Sequence, residues 1–131
     1  MLLVKTKTMP SKIDGLGLFA DEFIPIGKLI WKFSPEVDKS YSKDEVGLLL
    51  EPERSEVLSL KYSYKSRQTG KYVVCGDDAQ YMNHSFRPTV RTTFPTNGEE
   101  DVGFAAHDIQ RGEELTVDYR IFDEKIDFVV L

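Results

Sequence analysis

Apolar and polar positions alternate with a period of two along much of the chain, the pattern of half-buried strands. It predicts strands over residues 2–6, 16–20 and 28–33, the last entered through a turn at Pro25 and Gly27. Only residues 42–60 carry helical signals. There Ser42-Lys43-Asp44-Glu45 fits a capping box, with Ser42 as N-cap and Glu45 at N3. Pro52 interrupts the stretch and predicts two short helices or one kinked unit. Residues 62–66 and 71–75 flank Arg67-Gln68-Thr69-Gly70 as a hairpin. Residues 90–94 and 102–106 form a second hairpin around Pro95-Thr96-Asn97-Gly98, which acidic residues follow. A polar turn at 108–112 leads to a strand at 114–119. With no internal repeat, low-complexity tract or linker, residues 1–131 read as a single mostly-β domain with a small helical insert.

Composition narrows the function classes. The 131 residues hold 17 basic and 22 acidic side chains, a formal charge of −5. A pI near 5.1 argues against direct nucleic-acid binding, which wants clustered Lys and Arg. It favours a basic partner. The single cysteine, Cys75, permits no internal disulfide and no zinc site built on several thiolates. No apolar run approaches the roughly 20 residues of a membrane span, and the N-terminus has no signal-peptide pattern. These features predict a soluble intracellular protein, cytoplasmic if its source is bacterial, with no membrane partner.

Three segments carry candidate chemistry. In Gly15-Leu16-Gly17-Leu18-Phe19-Ala20, closely spaced glycines let a ligand approach the backbone, although taken alone they are better explained by a tight turn into a strand. It is not a dinucleotide fingerprint, since the third glycine and the helix are missing. In Tyr81-Met82-Asn83-His84-Ser85-Phe86-Arg87-Pro88, consecutive Asn, His and Ser offer donors and acceptors that suit an amino acid-like ligand or buried backbone groups. The only histidines, His84 and His107, have no Cys or carboxylate at ligand spacing, so no metal is expected. His84 and Ser85 are adjacent and make a poor nucleophile–base pair. The third segment is Arg111-Gly112-Glu113-Glu114-Leu115-Thr116-Val117-Asp118-Tyr119. Glu113 and Glu114 would face opposite ways on a strand, which spoils them as an acid–base pair.

The order of the three segments is more specific than any one of them. A glycine turn, then Asn83-His84-Ser85, then Gly112-Glu113-Glu114-Leu115 through Asp118-Tyr119 about 30 residues later, resembles the SET-domain protein-lysine methyltransferases. The likeness spans nearly the whole chain, from about Lys5 to Phe122. It implies a β-clip fold of small curved sheets, with residues 42–60 as the family's variable insert. It also implies a pseudoknot in which the C-terminal segment threads a loop at Asn83-His84-Ser85. S-adenosyl-L-methionine is the implied cofactor, bound by Gly15, Leu16, Gly17, Leu18, Asn83 and His84 with Tyr81 packed nearby. Tyr119 matches the family's catalytic tyrosine. Tyr62, Tyr64, Val117 and Phe122 are expected along the substrate lysine channel, the two tyrosines by region rather than motif.

The implied reaction is an in-line displacement, in which a neutral lysine amine attacks a sulfonium methyl. Alignment can lower such a barrier by about 7–11 kcal/mol at the extreme. A lysine amine titrates near about 10.4, so an apolar channel and the sulfonium must depress it. Tyr119 is then expected to orient and support electrostatically rather than to abstract the proton. The chain departs from the family pattern in three places. Phe86 and Thr89 replace the Cys and final Asn of the usual Asn-His-Ser-Cys-x-Pro-Asn. Val117 stands where many relatives carry a Phe or Tyr that restricts the product. No cysteine-rich zinc module is expected, as 12 residues follow Tyr119. Ile121, Phe122, Phe128 or a second subunit in a homodimer would cover the channel instead. The substrate is expected to be a lysine-containing, basic protein. The alternatives are a non-catalytic SET-like binding module and an unrelated β interaction domain.

Overall fold

The structure, a computed structural model, describes residues 1–59 and 63–125. Among the described residues, ten short strands form three small sheets. β1 (Thr6–Pro10) and β2 (Leu16–Ala20) pair antiparallel, from Thr6 opposite Ala20 to Pro10 opposite Leu16. The β1 strand corrects the expected 2–6. Residues before Thr6 lie instead against β3 (Leu29–Lys32), where the Leu3 N–H donates to the Ile30 carbonyl and Leu2 bridges Trp31. The Leu2 N–H donates to Asp77 Oδ2 at 2.8 Å, which turns this end away from β2.

Ser42 caps α1 (Lys43–Leu48) through the reciprocal bonds of a capping box with Glu45. Pro52 separates it from α2 (Glu53–Leu58), as a proline that lacks an N–H must. This insert packs beside the sheet of β4 (Lys39–Tyr41), β5 (Tyr64–Lys65) and β6 (Tyr72–Val74), ordered β4-β6-β5. The β5–β6 pair is the expected first hairpin. The short β4 was not expected; its Lys-Ser-Tyr sequence has no apolar alternation to show it.

A 3₁₀ turn, Asp78–Tyr81, capped by Asp77, leads into β7 (Asn83–His84). β8 (Val90–Thr93) and β9 (Val102–Ala105) form the second expected hairpin, and β3 closes their sheet in the order β3-β9-β8. β10 (Glu114–Val117) ends before the expected residue 119. Asp118 stops it by capping a helical turn, α3 (Tyr119–Phe122), with its carboxylate accepting from the Arg120 N–H at 3.0 Å.

β10 carries the topology that matters. It pairs antiparallel with β2 through Glu114–Phe19 and Leu115–Leu18, and parallel with β7 through Thr116–Asn83 and Val117–His84. The three motif segments thus become neighbours in one sheet, ordered β1-β2-β10-β7. Leu18, Ile24, Ile30, Ile109 and Leu115 are completely or almost completely buried in the core beneath it.

Candidate functional site

Glu114 ties the glycine turn to Asn83. Its carboxylate accepts from Ser11 Oγ at 2.7 Å and from Asn83 Nδ2 at 3.0 Å. The same amide nitrogen lies 3.1 Å from the Asp14 carbonyl and 3.4 Å from that of Leu16. Asn83 therefore holds the turn from across the sheet. Gly15 takes φ +43°, a left-handed value that disfavours other side chains. A Cβ at Gly17 would stand 2.7 Å from Glu114 Oε2 and 2.9 Å from Ser11 Cβ, so glycine there is what lets Glu114 reach Asn83. Leu16 is exposed, whereas Leu18 is fully buried in the core. Glu113 points elsewhere and accepts from the Gln110 N–H at 2.8 Å.

His84 and Tyr119, 35 positions apart, meet directly. The Tyr119 N–H donates to His84 Nδ1 at 3.1 Å, and the two rings lie 5.3 Å apart. An accepting Nδ1 puts the proton of the neutral ring on Nε2. That Nε2 is buried and has no hydrogen-bond partner. Burial lowers the His84 pKa, and Arg120 adds to the effect against the pull of Asp118. Asp118 is held below the usual carboxylate range chiefly by Arg120, which grips it from two nitrogens at 3.0 and 2.7 Å. The Arg120 guanidinium also covers the Phe86 ring at 4.4 Å, and Phe86 meets His84 edge-on.

The Tyr119 hydroxyl donates to the Met82 carbonyl at 2.5 Å. Burial, with help from Asp123 and Asp14, pushes its pKa up to about 12, so it stays protonated. It borders a cavity of about 100 Å³ walled by Tyr64, Val117, Tyr119, Phe122, Trp31 and Met82. Tyr64 packs edge-on against Phe122 at 5.0 Å, and Phe122 against Tyr119 at 6.0 Å. At another wall the Tyr64 hydroxyl donates to Asp101 Oδ1 at 3.1 Å. Asp101 is 5% exposed, and burial pushes its pKa up to about 7. Cys75 also lines the cavity, with its thiol pKa raised by burial, which keeps it an unreactive thiol.

The expected residues fall into two groups around β10. Gly15, Leu16, Gly17, Leu18, Asn83 and His84 gather around β2 and β7; Tyr81, partly buried, packs against the core beside them. Tyr64, Val117, Tyr119 and Phe122 share the cavity, while Tyr62 and Phe128 lie outside the described residues. Asn83 spends its amide donors on the glycine turn and Glu114. Asp101, Trp31 and Cys75 were not among the expected residues. A signal for Asp101 existed: just ahead of β9, it continues the buried alternation of Gly103 and Ala105. Among the described residues no cluster of three His, Cys, Asp or Glu could hold a metal, and no helix is long and apolar enough to cross a membrane.

Small sheets that bring an Asn-His pair against a distant tyrosine, beside an aromatic cavity, define a class by fold and site together. The SET-domain family model matches residues 15–120, and the chain belongs to that family. Solved structures agree. An active polycomb repressive complex 2 in its basal state is 27% identical, with a TM-score of 0.65 over 88% of this chain and 15% of that one. The Chaetomium thermophilum polycomb repressive complex 2 bound to GSK126 shares the fold at a TM-score of 0.68 and 24% identity, over 95% of this chain and 17% of that one. A polycomb repressive complex 2 with H3K27me3 and H3K27M matches 88% of this chain and 14% of that one, with 25% identity and a TM-score of 0.64. This chain thus spans only 14–17% of the solved chains it matches. No curated protein matches it. SET-domain proteins are generally protein-lysine methyltransferases that use S-adenosylmethionine.

Proposed function

We propose that this chain transfers a methyl group from S-adenosylmethionine to the side-chain amine of a lysine in a protein. The carrying observation is that Tyr119 touches both halves of the site: its N–H meets His84 and its ring borders the cavity. Residues 1–131 would form one SET domain, with residues 42–60 as its insert. The position of β10 between β2 and β7, and the bridge between Ser66 and Asp123 beyond it, support a pseudoknotted C-terminal segment.

The residues on the β2–β7 side fit the cofactor. The turn at Gly15 has open space where a side chain would stand, and the buried Nε2–H of His84 lacks an acceptor that a ligand would supply. Gly15, Leu16, Gly17 and Leu18 would hold the cofactor through their backbone, with Asn83, His84 and Tyr81 beside them. When bound, S-adenosylmethionine supplies an electrophilic methyl group.

The protein's own work is then binding, alignment and desolvation. Tyr64, Val117 and Phe122 would wall the lysine stem and keep out water, which disfavours the charged amine. The Tyr119 hydroxyl, fixed by the Met82 carbonyl and protonated at neutral pH, would present a stable dipole at the junction. It orients rather than takes the proton. The net charge of −5 favours a basic substrate segment. Labelled-methyl transfer to a panel of lysine-rich proteins tests the reading. Lysine labelling is expected; cofactor binding without transfer to any of them would identify a non-catalytic module.

A further inference from the structure

The cavity is not simply an aromatic slot. Asp101 borders it, 5% exposed, and Gly103 two residues on contributes no side chain to the same wall. A Cβ at Gly103 would stand 2.8 Å from Val90 Cγ1, so that wall already packs tightly around the space beside Asp101. Asp123, the other carboxylate at the cavity, is committed to backbone: its Oδ1 accepts from the Lys65 and Lys125 N–H groups, each at 3.0 Å. Asp101 has the Tyr64 hydroxyl as its side-chain partner. The Trp31 indole N–H, also on this lining, is buried without an acceptor. A partly aromatic cavity with a buried carboxylate on one wall suits an amine or ammonium head that brings its own N–H donors.

We propose that Asp101 is a specificity-determining residue, whose carboxylate accepts an N–H from the substrate nitrogen and so limits how many methyl groups it receives. The inference rests on the lysine methyltransferase reading and deepens it. Each transfer forms an N–CH₃ bond and breaks the S–CH₃ bond of the methyl donor, whose sulfur keeps the electron pair; the first two products then lose one proton from nitrogen to solvent, and a third would be a quaternary ammonium with no proton to lose. A neutral primary amine offers two N–H groups, a monomethylamine one and a dimethylamine none. The first two transfers therefore keep an anchor on Asp101, and the third has none. Size alone points the other way, because Val117 is smaller than the Phe or Tyr that many relatives carry there. The carboxylate, not the volume, sets the limit.

Two measurements on the full chain test this. Mass spectrometry of a methylated lysine peptide is expected to show mono- and dimethyl products, and Asp101→Leu, which removes the acceptor, to raise the trimethyl share about tenfold. An unchanged product distribution in an active Asp101→Leu overturns the proposal. The second measurement needs no turnover. NMR titration at about pH 8.5, where n-butylammonium stays charged, compares it with butyltrimethylammonium. The wild type is expected to bind the N–H-bearing cation about tenfold more tightly, and Asp101→Asn to lose that preference. Equal binding of the two cations by wild type, or binding of neither, overturns the proposal even if the variant misfolds. Retained preference with no methyl transfer to any peptide overturns the enzymatic reading and leaves Asp101 as a selective ammonium site.

Discussion

Tyr119 gives its backbone N–H to Nδ1 of His84 at 3.1 Å, and this bond fixes the chemical form of the imidazole. Only a ring with an unprotonated Nδ1 can accept it. Asp118 Oδ1 stands 3.8 Å from the same nitrogen, too far to compete as a hydrogen-bond partner. The motif that ends β10 and the motif that forms β7 therefore depend on one protonation state.

Burial depresses the His84 pKa below its ordinary value, so the folded protein prefers neutral His84. The unfolded chain then binds more protons as the pH falls through about 6.5, and stability should fall with it. The contribution is complete above that value and lost below it. Nitrogen-15 spectra should show a neutral Nε2–H ring at pH about 7.5, titrating below about 6.5. A protonated Nδ1 at neutral pH would contradict the arrangement. His84→Asn keeps an acceptor near Nδ1 and should be milder than His84→Leu, which strands the Tyr119 N–H at about 1–3 kcal/mol.

Gly17→Ala should disturb the site from the opposite side. Its Cβ would push on Glu114 Oε2 and Ser11 Cβ at once, and Glu114 holds Asn83. Overpacking of this kind costs about 1–3 kcal/mol. Thermal unfolding should report the loss, while calorimetry with S-adenosylmethionine should show cofactor affinity falling about tenfold or more. Glu114→Ala in the same background removes the obstructing carboxylate and should recover part of the stability. Recovery of stability without recovery of cofactor affinity would assign the binding defect to Asn83, now missing a partner. Wild-type affinity in Gly17→Ala would refute the role given to the turn.

Tyr119→Phe deletes one hydroxyl and its bond to the Met82 carbonyl, about 1 kcal/mol of stability. The ring, which packs near His84 and Phe122, remains. Cofactor affinity should be close to wild type, and the methyl-transfer rate lower by about 100-fold or more if the hydroxyl supports the reacting centre. Single-turnover transfer measures the rate apart from binding. Equal rates would remove Tyr119 from the catalytic machinery.

What could be read from the sequence was whatever local pattern controls. The Ser42 capping box, the break at Pro52, β2 and both hairpins follow from neighbouring residues alone. β1 was displaced because the apolar start, Leu2 to Val4, serves β3 and the core rather than β2. β7 is two residues long and takes its parallel partner from about 30 positions away, so no local period announces it. Tyr119 left the strand because Asp118 caps a turn, a competition between two good local signals. The motif residues assembled as their order suggested, since β10 can pair with β2 and β7 at once. Asp101 follows Glu99 and Glu100 after the Gly98 turn, a local pattern that reads as exposed turn surface.

That buried acid should leave its mark on stability. Its folded pKa of about 7 lies above the unfolded value near about 3.9, through burial and with Glu100 adding repulsion while the Tyr64 bond opposes. Between those values the folded state holds the extra proton, so Asp101 makes stability fall as the pH rises. The penalty is absent below about pH 4 and reaches at most about 4 kcal/mol by about pH 8. This runs against the His84 dependence, and a single wild-type profile would blend the two. The difference between Asp101→Asn and wild type isolates Asp101, because His84 and Asp123 titrate in both. Asparagine can still accept from the Tyr64 hydroxyl. Urea midpoints should therefore diverge steadily from about pH 4 to 8 in favour of the variant, and parallel profiles would mean that Asp101 ionises freely. Addition of n-butylammonium at high pH should narrow the gap by raising the wild type alone, since only the wild type carries the carboxylate that this cation would pair with.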